Sequence, residues 1–253
     1  MSRLDEALEL VSISSVSRDE AALRELLAAG RGERMRPLTD DLPKPLLKIK
    51  GKSLLAWHLE AAAKVGIQNI VINHAWLGQK IEDDLGDGAQ YGLRIQYSPE
   101  EIALETAGGI CQALPLLKPR DYFLVINGDV FCPNFPISQL LVQLELMRTK
   151  PNPPLAHLIM VPNPSQHPGG DFYLNAFQLS INPSGTAEKL TFSGIGLYHS
   201  DLFKQLQIGN PSKLAPLLID AMKENRVSGE KYVGPWHDVG TPQRLQELNA
   251  ADE

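Results

Sequence analysis

Two periods of apolar and polar positions run through this chain. Residues 53–65, SLLAWHLEAAAKV, are rich in helix formers and space Leu54, Leu55, Leu59, Ala62 and Ala63 along one side, which predicts a helix. Gly66 stops it, and residues 67–73, IQNIVIN, read as a buried strand. A helix joining two such strands is a βαβ crossover, which implies a parallel sheet with a right-handed connection. Residues 77–85 predict a short helix closed by Gly86-Asp87-Gly88, and residues 93–97 and 122–126 predict strands. The stretch 104–110 opens a helix after a loop, and residues 137–147 form another. From Leu155 onward the texture changes to strands, LAHLIMVPN, DFYLN, AFQLSIN and KLTFSGIGLYH, with Pro, Gly and Asn turns between them. A helix at 214–225, a strand-like KYVGPWHDV and a helix at 242–249 follow. The pattern predicts an α/β fold: a mixed, mostly parallel sheet flanked by helices, with an antiparallel lobe in its second half.

The first 25 residues do not continue this pattern. Leu4, Ala7, Leu8 and Leu10 have near-helical spacing, and Ser17 with Glu20 makes a capping box ahead of AALRELL. Residues 22–27, ALRELL, are charged in the middle and read as helix. A central strand there would set Arg24 and Glu25 against an apolar core, which is costly unless they are paired or moved to an edge. Residues 1–25 are therefore expected to be an atypical leader, and residues 26–253 a single domain.

Composition narrows the classes of partner. The 253 residues carry a net charge of −6, with 43% hydrophobic and 21% charged residues, ordinary values for a globular protein. The acidic balance argues against nucleic-acid binding. No apolar run reaches the length of a membrane span, and no basic region with an apolar core marks a secretory signal. A cytoplasmic protein with no membrane partner and no obligate protein partner is expected. Cys111 and Cys132 are too few for a disulfide framework or a cysteine-based metal site.

Residues 26–47, LLAAGRGERMRPLTDDLPKPLL, concentrate the candidate chemistry. Gly30 and Gly32 allow close backbone approach to a ligand, and Arg31, Arg34, Arg36 and Lys44 supply cations where an anion such as a polyphosphate would sit. Two known phosphate loops are excluded by spacing. The lysine-hydroxyl ending of a P-loop is missing, and Met35 occupies the third glycine position of G-x-G-x-x-G. Asp129, after the apolar run FLVIN and a glycine, and Asp238, after another strand-like run, are a second pair of candidates. Ligands of open α/β sheets bind outside the carboxyl ends of strands, and two carboxylates there suit Mg²⁺.

From Leu27 to Leu46 the chain resembles, position by position, the signature of sugar-1-phosphate nucleotidylyltransferases, roughly L-A-A-G-x-G-x-R-M/L-x-P-L-T-x-x-x-P-K-P-L. The segments NHAWLG, LGDG, YSPE, LETAGGI, GDF and TFSGI resemble one subgroup, the N-acetylmuramate α-1-phosphate uridylyltransferases. The resemblance covers about residues 26–249. It implies a nucleotide-diphospho-sugar transferase fold that is Rossmann-like, with UTP or another NTP and a sugar 1-phosphate as substrates and Mg²⁺ as cofactor. Arg34 and Lys44 would be catalytic. Ala28, Ala29, Gly30, Gly32, Arg34, Asn73, Gly108 and Asp129 would bind the nucleotide. Lys44, Gly170, Asp171, Ser193 and Gly194 would line the sugar pocket, and Asp129 and Asp238 would hold the metal. On this reading Asp129→Asn and Asp238→Asn impair turnover and leave the melt largely unchanged.

Other readings are weaker. Gly108 and Gly109 could serve tight helix packing instead of a base, and His237 is expected to be a packing neighbour. His58 and His199 have no Ser or Cys partner in a recognisable motif, and G-x-S-x-G, H-E-x-x-H and C-x-x-C are all missing. LVSISSVSRDEAALRELL resembles the opening helix of the M20 zinc peptidases but carries none of their metal ligands. Mannose-1-phosphate guanylyltransferase, glucose-1-phosphate thymidylyltransferase and a non-catalytic nucleotide-binding relative are the competing readings. The C-terminal β-helix domain of bifunctional acetylglucosamine relatives is not expected.

Overall fold

The computed structural model describes residues 24–28, 32–118 and 121–250; within 24–28 only Leu26 is described beyond the backbone. The elements expected around Leu4–Leu10 and at Ser17 and Glu20 lie outside the described residues, as do Ala29, Gly30 and Arg31. In chain order the elements are β1 (Arg24–Ala28), β2 (Lys48–Ile49), β3 (Lys52–Ser53), α1 (Leu54–Lys64), β4 (Asn69–His74), α2 (Gly78–Leu85), β5 (Arg94–Pro99), α3 (Glu105–Leu117), β6 (Tyr122–Asn127) and β7 (Val130–Phe131). They continue with α4 (Ile137–Arg148), β8 (Ala156–Val161), β9 (Phe172–Asn175), β10 (Gln178–Ser180), β11 (Glu188–His199), α5 (Leu214–Lys223), β12 (Val227–Lys231), β13 (His237–Asp238) and α6 (Pro242–Ala250).

One nine-stranded sheet, ordered β5-β4-β1-β6-β11-β8-β12-β10-β9, runs through the molecule. β5, β4, β1 and β6 are mutually parallel, whereas β11 runs antiparallel to both β6 and β8. The strands of the second half therefore extend the same sheet. Alternation along the central strands sends side chains to two cores. Ile70, Ile72, Leu124 and Ile126 enter the core beneath α1, α2 and α4. Val71, Phe123 and Val125 join Leu26 in the opposite core beneath α3 and α5. A third, smaller core gathers Met35, Leu47, Ile49, Leu54, Phe131, Val239 and Leu245.

The helix expected at 22–27 is corrected over 24–28, which form the strand between β4 and β6. Leu26 pairs with Val71 on one side and Val125 on the other, and its side chain is fully buried. Helix propensity is a weak local preference that two waiting parallel strands override. Arg24 sits at the N-terminal end, where only β4 pairs with it; the register with β6 begins at Glu25. The strand expected over KYVGPWHDV is also corrected. Regular pairing occurs at β12 and β13, and Gly234 and Pro235 lie between them, where proline offers no ladder donor. No helix among the described residues is long and apolar enough to cross a membrane.

Of the three histidines buried among the described residues, His58 and His157 have depressed pKa values. Burial pushes His58 down to about 4, against the opposing effects of its hydrogen bond to the Val130 carbonyl and of the Asp129 charge. Burial also lowers His157 to about 4, helped by Lys150, while its Nδ1 contacts Ser228 Oγ at 2.9 Å. A histidine whose folded pKa is depressed favours unfolding as it protonates. Its contribution is intact above the ordinary value of about 6.5 and is lost as pH falls toward 4. Melting temperature should accordingly fall between pH 6.5 and 4, and more shallowly in a His157→Gln variant; thermal melts of both proteins across that range check this.

Candidate active site

The loop after β1 begins, among the described residues, at Gly32. Its φ of +70° starts a 3₁₀ turn, Glu33–Met35, in which Met35 is fully buried in the third core. The Gly32 carbonyl accepts from the Met35 amide at 2.9 Å and from Thr39 Oγ1 at 2.8 Å. Trp76 Nε1 donates to the Thr39 carbonyl at 3.1 Å, so the NHAWLG segment after β4 braces this loop. Arg34 lies exposed on the same turn. A second 3₁₀ turn, Lys44–Leu46, carries the Pro-Lys-Pro portion of the signature inward.

Lys44 is the electrostatic centre. Its side chain is only 6% exposed, and Nζ donates to Asp129 Oδ2 at 2.7 Å across 85 positions of sequence. Two candidates singled out separately are thus in direct contact. A Cβ on Gly32 would stand 2.9 Å from Lys44 Cβ, so the glycine also makes room for the lysine. Asp238 arrives through β13, which pairs with β7 so that Asp238 faces Val130 and the Val239 amide donates to the Asp129 carbonyl at 2.9 Å. Arg244 Nη1 holds Asp238 through Oδ2 at 3.0 Å and its carbonyl at 3.1 Å. Each aspartate keeps its Oδ1 without a partner among the described residues. His237 stacks on Phe131 and burial lowers its pKa, consistent with a neutral packing residue. No cluster of three metal-ligating side chains occurs among the described residues. Two carboxylates with free oxygens are the donor set that Mg²⁺ accepts when phosphates and waters complete its shell.

Asn73, at the end of β4, donates through Nδ2 to Glu100 Oε1 at 2.7 Å, and its buried Oδ1 has no partner among the described residues. Glu100 Oε2 in turn accepts from the Leu104 amide at 3.0 Å. Gly109 leaves the space these groups need, since a Cβ there would stand 2.5 Å from Asn73 Nδ2. Gly108 is buried, and its missing side chain is occupied by the backbone of Asn210 and Ser212, with Asn210 O 2.6 Å from a notional Cβ. The geometry of Gly108 is that of the packing alternative.

Across the sheet, Ser193 and Gly194 occupy an irregularity of β11, where the register with β8 shifts between Phe192 and Gly196. Gly194 has φ +82° and lies against the Asn127 side chain, and the buried Ser193 carbonyl accepts from Trp236 Nε1 at 2.9 Å. Gly170 turns the chain at φ +56° before Asp171, whose Oδ2 accepts from the Phe192 amide at 2.8 Å and whose Oδ1 meets His167 Nε2 at 3.0 Å. Asp171, Asn127, Thr106 and Phe192 line one cleft of about 280 Å³. Ala28 contributes backbone pairing with Asn73 and Asn127. Three residues of the site escaped the sequence reading. Asn127 and Lys213 line the cleft, and Arg244 holds Asp238. Only Arg244 had a local signal, its place six residues after Asp238 at the start of a proline-led helix.

The profile of the Nucleotidyl transferase family matches residues 25–253, and the chain belongs to that family. It is 50% identical over 227 residues to the N-acetylmuramate alpha-1-phosphate uridylyltransferase of Neisseria meningitidis serogroup B, covering 89% of this chain and 96% of that protein. The protein of the same description from Caulobacter vibrioides is 30% identical, covering 86% of this chain and 91% of its own. In fold, the chain matches a Bacillus anthracis protein solved in complex with a sucrose, with a TM-score of 0.77 at 19% identity over 90% of this chain and 94% of that one. The architecture is the nucleotide-diphospho-sugar transferase fold.

Gly32→Ala should lower the melting temperature by a few degrees, because a side chain at positive φ costs about 1–2 kcal/mol. It should also cut turnover by displacing Lys44, and a melt paired with a turnover assay reads both effects.

Proposed function

We propose that the protein transfers a uridylyl group from UTP to N-acetylmuramate α-1-phosphate, giving a UDP-sugar and pyrophosphate. The observation that carries this reading is the 2.7 Å contact of Lys44 with Asp129, with Asp238 one register step away at the carboxyl ends of the parallel strands. The choice of UTP and of this sugar rests on the 50% identical relative, whose length the chain nearly spans. The reaction belongs in the cytoplasm, where UTP is available, and fits the recycling of cell-wall sugars.

An oxygen of the sugar phosphate attacks the α-phosphorus of UTP, a new P–O bond forms, and the bond from the α-phosphorus to the bridging oxygen breaks to release pyrophosphate. The attacking phosphate is ionised at neutral pH, so no general base is needed. The protein's task is to align two anions that repel each other and to offset their charge. Arg34, exposed on the turn after Gly32, would face the polyphosphate. Lys44 supplies a buried ammonium at the α-phosphate. Asp129 and Asp238 are the residues that would hold Mg²⁺, which when bound neutralises phosphate charge. Arg244 positions Asp238 by fixing its Oδ2 and leaving Oδ1 available. Asn127, against which Gly194 packs, lines the cleft that would take the sugar.

The earlier expectation for Asp129→Asn changes. Lys44 is almost fully buried and Asp129 is its partner, so loss of the carboxylate weakens the compensation of a buried charge. Asp129→Asn should lower the melting temperature as well as turnover. Asp238 pairs with a more exposed arginine, and Asp238→Asn should leave the melt nearly unchanged while lowering turnover about 100-fold or more. Pyrophosphate release measured across a matrix of nucleotides and sugar phosphates tests the assignment. The greatest kcat/KM is expected for UTP with N-acetylmuramate α-1-phosphate, with activity lost on chelation and restored by Mg²⁺. A clear preference for GTP with mannose 1-phosphate would overturn the substrate choice and keep the class.

A further inference from the structure

The cleft beside β11 contains a cation that the transfer chemistry does not use. Lys213 lines it together with Glu105 and Asp171, and it is the sole cationic residue among those that do. It forms no ion pair among the described residues. Asp171 makes no ion pair with it among the described residues; its oxygens accept from the Phe192 amide and meet His167.

The backbone next to Lys213 is anchored. Its neighbour Ser212 accepts from the Ala107 amide at 2.9 Å and the Gly108 amide at 3.1 Å, and donates to the Leu104 carbonyl at 2.9 Å. Those three bonds fasten the 210–213 segment to the turn that opens α3. Gly108 permits the fit, since any side chain there would collide with Asn210 and Ser212. The backbone that carries Lys213 is therefore anchored, and the lysine lines the cleft together with the apolar residues Leu214 and Leu218.

We propose that Lys213 is a specificity residue that pairs with a carboxylate on the sugar, the lactyl group that distinguishes N-acetylmuramate from N-acetylglucosamine. This rests on the substrate reading above. A sugar bearing that group is an anion at both ends. Its phosphate is taken up near Arg34 and Lys44, and its carboxylate must enter a cleft that already contains Glu105 and Asp171. Without a cation it would meet like charges, which disfavour binding. An ammonium next to an apolar wall suits a carboxylate attached to a carbon carrying a methyl group, because the methyl can lie on Leu214 and Leu218.

The test compares wild type, Lys213→Ala and Lys213→Arg with UTP and three acceptors: N-acetylmuramate α-1-phosphate, its lactyl methyl ester, and N-acetylglucosamine α-1-phosphate. A charge-assisted hydrogen bond of about 1.5–3 kcal/mol corresponds to about tenfold or more in affinity. Lys213→Ala should therefore raise KM about tenfold for the free acid, with a small effect on kcat. Its effect on the ester and on the N-acetylglucosamine substrate should be slight, and Lys213→Arg should recover most of the loss. Equal losses on all three acceptors would mean that Lys213 binds a phosphate or supports the fold, and would overturn the proposal. Unchanged kinetics on the free acid would overturn it too, while leaving the uridylyltransferase reading standing. Failure of the wild type to use N-acetylmuramate α-1-phosphate with UTP would remove both.

Discussion

The pairing of Lys44 with Asp129 is the constraint on which the site depends. It joins the signature loop after β1 to the end of β6, and it does so with an almost fully buried ammonium. Such a charge persists in the fold only with a partner, so the pair fixes the relative position of two segments 85 residues apart. The third core reinforces the arrangement from below. Met35 comes from the loop, Leu54 from α1, Phe131 from β7, and Val239 and Leu245 from the segment that carries Asp238. Asn249 closes it further, bonding the Lys48 carbonyl and the Lys50 amide of the β2–β3 hairpin. Packing and electrostatics thus place the same three groups together.

The two aspartates are held in similar ways. Lys44 takes Oδ2 of Asp129, Arg244 takes Oδ2 of Asp238, and Oδ1 of each is open among the described residues. A cation at each carboxylate limits the repulsion between two negative groups brought close by β7 and β13. Asp129 and Asp238 would hold Mg²⁺ through their open oxygens, and on the proposed reading Lys44 would face phosphate. On the proposed reading, charge compensation in the resting protein and in the reaction would use the same lysine.

Much of this was legible in the chain. The signature from Leu27 to Leu46 is legible through its resemblance to a family, and the helices at α1, α4 and α6 and the buried strands β4 and β6 follow from local periodicity. β1 was not, because ALRELL carries helix formers and its strand state comes entirely from pairing with β4 and β6. Gly108 had both a nucleotide and a packing reading, and the backbone of Asn210 and Ser212 that lies against it is a contact no local pattern announces. Arg244 is defined by its contact with Asp238, and Lys213 by a cleft that exists only after folding. Residues whose role is to hold another residue leave little trace in sequence.

The central claim is that Lys44, Asp129 and Asp238 form one centre for nucleotidyl transfer. A crystal structure with UTP, a sugar 1-phosphate and Mn²⁺, the metal located by its anomalous signal, tests it most directly. The account predicts the ion between Asp129 and Asp238 and against the phosphates, with Lys44 turned from Asp129 toward the α-phosphate. An ion bound elsewhere, with Lys44 still paired to Asp129 and the nucleotide outside the strand ends, would contradict it.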